Sequence, residues 1–220
     1  NIKEYDLITR SIDPSFSEKN KDILKYLENR KDSVVIIYSY YSLRILGINA
    51  NNKKFRKILV PESVQNVNDT DFSQRYQAIK KSFIDTVNQI SKNHKVIIVY
   101  PTPEFKIGVP SAIVRKMIFR SESKIPIITS DYISFKNKRK LIYEILDEIS
   151  NEKIQKIYGD KYFCNNYIKN KCVGNTEEYL FFSDNHHLSN YASKFLINEI
   201  MDLIKDKNEK RKTSNFYNNL

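Results

Sequence analysis

Two of the three histidines in the chain, His186 and His187, stand side by side just after Asp184. An aspartate three residues before a histidine on a tight turn can accept a hydrogen bond from the ring Nδ1–H, which fixes the tautomer and leaves Nε2 as a general base. Hydrolysis or acyl transfer by a serine nucleophile needs such a pair. Asp184 and His187 are therefore candidate catalytic residues. The alternative is that Asp184 only shapes a turn and that the histidines are exposed loop residues.

The histidines and cysteines do not have the spacing of a metal centre. Adjacent histidines point apart and no fourth ligand stands near Asp184, so we predict no metal, and we predict no cofactor either. Cys164 and Cys172 lie eight residues apart in a stretch rich in Asn, Tyr and Lys. They are either two free thiols or a local disulfide that closes a surface loop in an oxidising compartment. The spacing leaves both alternatives open.

Two β-branched runs predict buried strands that would position these residues. Val34–Tyr38 and Val96–Tyr100 are apolar throughout, which is typical of strands covered on both faces in a parallel sheet. Shorter apolar runs at Ile125–Thr129 and Tyr179–Phe182 are predicted as further strands. Amphipathic periodicity and capping residues predict four helices. These helices begin near Ser15 and Asp69, cover Leu141–Ile149, and follow Ser189, the predicted cap of the last helix.

The alternation of buried strands and amphipathic helices predicts a single three-layer α/β domain. No internal repeat and no Pro- or Gly-rich linker divides the sequence, so we predict a domain over residues 1–205 and a frayed, charged tail over residues 206–220. In open parallel sheets the chemistry gathers at the carboxyl ends of the strands. That rule brings Tyr38–Ser42, Tyr100–Glu104 and the segment after Phe182 to one edge.

Length and charge limit the possible partners. The 220 residues are enough for a buried core, and no apolar run approaches the roughly 18 residues of a membrane-spanning helix. The net charge is +11, but Lys outnumbers Arg by 28 to 9, and the charges are scattered apart from the segment Lys205–Lys212. Nucleic-acid sites rely on Arg for bidentate contacts. We therefore predict no nucleic-acid partner.

The block Asp184–Ala192 resembles the Asp-x-x-His-Leu-Ser-x-x-Gly/Ala block of SGNH (GDSL-like) hydrolase domains. It is most similar to the domains fused to integral-membrane acyltransferase family 3, the O-acyltransferases that decorate bacterial surface polysaccharides. Three other features follow in the family's order: the strand Val34–Tyr38, a Pro-x-Pro-Glu turn at Pro101–Glu104, and the cysteine pair. The resemblance spans about residues 30–200.

The resemblance implies a flavodoxin-like sandwich in which His187 is the general base and Asp184 orients it. It also implies a structural disulfide between Cys164 and Cys172. The expected function is transfer of an acetyl or similar acyl group to a cell-surface glycan. The expected partners are an acyl donor, the glycan and a membrane-embedded acyltransferase domain upstream in the same chain. The domain would then be extracytoplasmic, in the periplasm or on the outer face of the cytoplasmic membrane, and membrane-tethered.

The sequence departs from the family pattern at the nucleophile. No Gly-Asp-Ser motif occurs, so we expect the first strand and its serine to lie upstream, in a longer protein. Ser39 and Ser42 follow a strand, but neither sits in a Gly-x-Ser-x-Gly elbow. The family's aromatic motif usually has Trp, and here Tyr40 or Tyr41 stands in its place. The alternative function is an inactive, glycan-binding SGNH-like module, with Tyr38, Tyr40 and Tyr41 stacking on sugar rings.

Overall fold

The computed structural model describes residues 17–30, 32–42, 72–120 and 124–217. In chain order its elements are α1 Ser17–Glu28, β1 Val34–Ile37, α2 Phe72–Ser91, β2 Lys95–Val99, α3 Val109–Arg120, β3 Thr129–Asp131, α4 Tyr132–Glu148, β4 Ile154–Ile157, a 3-10 helix Gly159–Tyr162, β5 Lys171–Val173 and α5 Asn190–Tyr217. Within these ranges no helix is both long and apolar enough to cross a membrane. The predicted helix starts at Ser15 and Asp69 lie outside the described residues.

Three strands form a parallel sheet in the order β1–β2–β4. Val35 lies opposite Val96, and Val96 lies opposite Ile154, which aligns the three strands at their amino ends. β2 is buried along its whole length because it has a strand on either side and apolar clusters on both faces. An uninterrupted apolar run is what such a central strand requires.

Side chains of the sheet alternate between two apolar layers. Ile98 of β2 faces a cluster built with α1, α2 and α4, in which Phe83 is buried. Ile97, its neighbour in the strand, points the other way and packs in a cluster with Leu196 of α5. Helices therefore cover both faces of the sheet. The three-layer α/β architecture predicted from the sequence is confirmed.

Two of the predicted strands are wrong. The apolar run Ile125–Thr129 is not a strand of the parallel sheet, because strand β3 begins only at Thr129 and pairs antiparallel with β5 in a separate ribbon. Pro126 interrupts the run, since proline has no N–H to donate to a neighbouring strand. In Tyr179–Phe182, Leu180 and Phe182 form only isolated bridges. Phe181 and Phe182 are both buried there, which explains the apolar pattern without a sheet.

The structure also contains elements that the sequence analysis does not predict. Strand β4 pairs with β2 although Gln155 and Lys156 interrupt its apolar pattern. Helix α3 has apolar side chains on opposite sides, so it shows no simple amphipathic period. Helix α5 extends to Tyr217, through residues predicted to form a frayed tail.

Candidate active site

The carboxyl ends of β1 and β2 open into a cleft of about 480 Å³. The segments that follow the two strands form one wall, and the histidine turn with the start of α5 forms the other. The three segments predicted to share this edge of the sheet do meet here. Hydroxyl groups and aliphatic side chains both line the cleft: Ser39, Ser42, Thr102 and Ser193 with Leu188, Leu196 and Ile197.

Asp184 organises the histidine turn through both of its carboxylate oxygens. Oδ1 accepts the backbone N–H groups of His186 at 2.8 Å and His187 at 2.7 Å. Oδ2 lies 2.5 Å from Nδ1 of His187. The same carboxylate therefore closes the turn and fixes the orientation of the His187 ring, as an aspartate three residues before a histidine is able to do.

The electrostatics of the turn keep Asp184 ionised. Burial alone would raise the pKa of the Asp184 carboxyl, but the hydrogen bonds from the His186 N–H, the His187 ring and the His187 N–H outweigh it and lower the pKa to about 2. An ionised carboxylate accepts the Nδ1–H of His187, which leaves the Nε2 lone pair as the basic site. The His187 side chain is 68% exposed, and no described residue hydrogen-bonds Nε2. The arrangement suits a general base that meets its partner from the cleft.

Backbone hydrogen bonds hold this turn against the loop that follows β2. The Phe105 N–H donates to the carbonyl of Asn185 at 2.8 Å, and the Val109 N–H donates to that of Asp184 at 3.0 Å. At the other end of the turn, Ser189 Oγ accepts the N–H of Ala192 at 3.1 Å. The predicted role of Ser189 as the cap of the last helix is therefore confirmed.

His186, to which the sequence analysis assigns no role, forms part of the cleft wall. Its ring stacks on Tyr40, with centroids 4.5 Å apart and an interplanar angle of 18°. Its Nδ1 lies 2.9 Å from Oδ1 of Asn185. Burial, followed by the electrostatic influence of the neighbouring His187, lowers the pKa of His186, against the opposing effect of Asp184 and Glu104. The lowered pKa favours the neutral form of the ring that stacks on Tyr40.

A buried ion pair lies beneath the cleft, and the sequence analysis missed it. Glu104 accepts hydrogen bonds from Ser42 Oγ at 2.7 Å and Tyr40 Oη at 3.2 Å, and it pairs with Arg139 of α4. The exposed fractions of the two charged side chains are only 7% and 3%. One signal was available: Arg139 follows Phe135 and precedes Ile142 at helical spacing on the buried face of α4. A cation at such a position requires a buried partner.

Comparison with known proteins gives the family of this chain. The family described as "SGNH domain (fused to AT3 domains)" matches residues 5–202. The chain belongs to this family. No curated protein is significantly similar to this SGNH domain in sequence.

A solved structure supports the fold of the SGNH domain. It is the periplasmic domain of the lipopolysaccharide acetyltransferase from Salmonella ser. Paratyphi A, with a TM-score of 0.50 and 16% sequence identity. The match covers 85% of this chain and 60% of that one, so this SGNH domain spans less than two thirds of the solved chain. At this identity the likeness supports the flavodoxin-like fold alone.

The remaining candidate residues of the SGNH domain fall into two groups. Tyr38, with its hydroxyl 3.1 Å from Thr102 Oγ1, and Tyr40 line the cleft. Tyr41 also borders the cleft, but it is buried and its hydroxyl donates to the carbonyls of Ile37 and Val99. Its contacts are therefore those of a core residue. Ser42 is already engaged by Glu104.

The two cysteines of the SGNH domain lie away from the cleft lining. Cys164 and Cys172 are joined by a disulfide, and both are buried beside Phe135 of α4. The bond closes the loop between the 3-10 helix and β5. Because Cys172 belongs to β5, the disulfide stabilises the position of the β3–β5 ribbon.

Asp184, His186 and His187 are the residues of the described part that offer ligand atoms to a metal ion, all within 4.8 Å of one another. The Asp184 carboxylate is already committed to the two backbone N–H groups and to Nδ1 of His187. A cation bound between Asp184 and His187 would have to displace their hydrogen bond. The geometry favours proton transfer over metal binding.

Proposed function

We propose that this chain carries the catalytic base of an SGNH O-acyltransferase that moves an acetyl or similar acyl group to a hydroxyl of a cell-surface glycan. The observation that carries the proposal is the 2.5 Å contact between His187 Nδ1 and Asp184 Oδ2 at the mouth of the cleft. Acyl transfer by a serine needs a histidine oriented in this way. The serine is assigned to a segment of the protein upstream of this sequence.

In the proposed reaction, Nε2 of His187 takes the proton of the serine hydroxyl while its oxygen attacks the acyl carbonyl. The ionised Asp184 stabilises the imidazolium that forms. His187 returns the proton to the leaving group, and an acyl-serine results. In the second half, Nε2 deprotonates a sugar hydroxyl, which attacks the acyl-serine and displaces the serine oxygen, and the proton passes back to serine. Water in place of the sugar gives hydrolysis.

The strand order of the sheet supports the proposed position of the nucleophile. Among the described strands, only β2 pairs with β1, so β1 forms an edge of the parallel sheet. A further parallel strand on the other side of β1 would end at the same edge as Tyr38. The residue after that strand would then reach the cleft. This supports a nucleophile delivered by a strand beside β1.

The proposed setting is extracytoplasmic, with the domain tethered through a membrane-embedded acyltransferase domain upstream. The family's fusion to AT3 domains supports the tether. The disulfide between Cys164 and Cys172 supports an oxidising compartment.

A second candidate function is a glycan-binding module without catalysis. It is favoured by the tyrosines at the cleft, because Tyr38 is 43% exposed and Tyr40 presents an aromatic wall together with His186. Such rings can stack on sugars. This function needs no upstream serine.

A serine-reactive fluorophosphonate probe distinguishes the two functions. The protein encoded by the complete gene should be labelled, and the labelled peptide should lie upstream of Asn1 in a segment that follows a strand. Binding of a surface glycan without labelling would contradict the acyltransferase and support the module.

A further inference from the structure

Helix α3 presents apolar side chains to solvent on its outer face. Val114, Met117 and Ile118 are exposed by 54%, 38% and 67%, and their spacing of three and four residues places them on one stripe. Phe119, in the last turn, is 79% exposed. We call these four residues the α3 patch. The opposite side of the helix is apolar as well, because Val109 packs into the core cluster of Phe105 and Phe182.

A helix that is apolar on both sides is normally covered on both sides. Exposed apolar side chains also continue into the loops around α3, where Ile107 and Ile125 are each 42% exposed. Monomeric soluble proteins rarely expose such groups of large apolar side chains unless the surface binds something. The α3 patch therefore has the character of a contact surface.

The charges around the α3 patch indicate what it contacts. Residues 105–130 contain five Lys or Arg residues and one Glu, a net charge of +4 over 26 residues, against +11 over all 220. Lys106, Arg115 and Lys124 are exposed. Apolar side chains flanked by cations are typical of helices that lie in the headgroup region of an anionic bilayer. Two copies of this segment would instead bring like charges together, which disfavours self-association through α3.

The α3 patch lies close to the catalytic turn. The first residue of the helix, Val109, donates its N–H to the carbonyl of Asp184 at 3.0 Å. At a rise of about 1.5 Å per residue, Ile118 is only about 14 Å further along the helix axis. A membrane bound at α3 would therefore lie close to the mouth of the cleft.

We propose that the α3 patch docks the domain onto the surface of an anionic phospholipid bilayer, with Val114, Met117 and Ile118 in the headgroup region and Arg115 and Lys124 beside lipid phosphates. The docking fixes the orientation of the cleft relative to the membrane. It does not depend on the chemistry assigned to His187.

Co-sedimentation of the full chain with lipid vesicles tests the proposal. Phosphatidylethanolamine vesicles that contain phosphatidylglycerol should pellet the chain, more weakly as salt rises, while pure phosphatidylcholine vesicles should pellet little. The double variant Met117→Glu/Ile118→Glu should bind the anionic vesicles at least about tenfold more weakly, because it removes apolar burial and adds repulsion.

The matched control is Met201→Glu/Ile133→Glu, which replaces the same residue types with the same change of charge at sites of similar exposure, 40% and 58%. It should stay within about twofold of the wild type. Equal losses in both double variants, or no pelleting of the wild type, would overturn the proposal. So would a dimer in solution that the Met117→Glu/Ile118→Glu variant dissociates. His187→Ala should bind vesicles like the wild type, so a failure of the proposed catalysis would leave this result unchanged.

Discussion

Two charge pairs border one cleft, each through one member, His187 and Glu104, and they differ in almost every physical respect. Asp184 and His187 are three residues apart, their side chains are 43% and 68% exposed, and their contact is part of a single turn. Glu104 and Arg139 come from a loop and a distant helix, and both side chains are almost fully buried. The first pair is placed to meet a partner molecule. The second ties the segments after β1 and β2 to α4.

Under the proposed function, the difference separates the residues of the chemistry from those that support the fold. An exposed pair contributes little to stability, because water screens its charges. Removing one member of a buried pair leaves a buried charge without its counter-ion, which lowers the free energy of unfolding substantially. Variants in the first pair should therefore affect the reaction and variants in the second should affect folding. Three experiments test this contrast.

The largest effect is expected for His187→Ala in the protein encoded by the complete gene. Loss of the proposed general base should lower the rate of acyl transfer by about 10⁴-fold or more, as losses of such residues do in serine hydrolases. The midpoint of urea unfolding should change little, since the side chain is largely exposed.

Asp184→Asn is the graded comparison for the same assay. It should lower the rate less than His187→Ala does, because the ring remains but its tautomer and orientation are no longer fixed. An unchanged transfer rate in His187→Ala would contradict the assignment of the base.

The buried pair should give the next largest effect, on folding. Glu104→Gln leaves Arg139 without its counter-ion and should lower the free energy of unfolding by about 3–5 kcal/mol, measured by urea titration. Glu104→Gln/Arg139→Met should recover most of that loss, since the uncompensated charge is gone.

The exposed pair Lys81–Asp85, which has a hydrogen bond of 2.8 Å and side chains exposed by 78% and 62%, supplies the control. Asp85→Asn should cost under about 1 kcal/mol. If Glu104→Gln lowered the free energy of unfolding as little as Asp85→Asn does, the Glu104–Arg139 pair would not stabilise the fold.

The smallest effect on stability is expected when the pH is lowered. The pKa of Asp184 is about 2 in the folded protein and near its ordinary 3.8 in the unfolded chain, so its contribution to stability is complete above pH 3.8 and is lost as the pH falls to about 2. With the side chain 43% exposed, the contribution is screened to under about 1 kcal/mol. Urea unfolding of the wild type and Asp184→Asn should differ above pH 4 and converge near pH 2. A constant difference over that range would contradict the depressed pKa.

The sequence predicts features formed by neighbouring residues, but it does not predict contacts between residues that are far apart in the chain. The Asp184 turn involves a few consecutive residues, and its geometry follows from their spacing. β2 is predictable because a central parallel strand must be apolar on both sides, as Val96–Val99 is. Among the described strands, β4 lies at the edge of the sheet and tolerates Gln155 and Lys156, so its apolar pattern is interrupted.

The position of Glu104 depends on tertiary structure. Its partners come from the segment after β1 and from α4, and only the packing of α4 on the sheet brings Arg139 beneath the cleft. The spacing of residues along the chain does not predict this contact. Helix α3 escapes prediction for the opposite reason, since a helix that is apolar on two sides has no single stripe to detect.

The open side of β1 has a further consequence, for solubility. In the part of the chain that the structure describes, this side carries no neighbouring strand, and the strand is Val34-Val35-Ile36-Ile37, without a charge or a proline. Such an edge is a template on which other molecules can add strands and aggregate. A strand that arrived there with a nucleophilic serine would also cap this edge. Under the proposed function, the same segment would supply the nucleophile and would also protect the domain from aggregation.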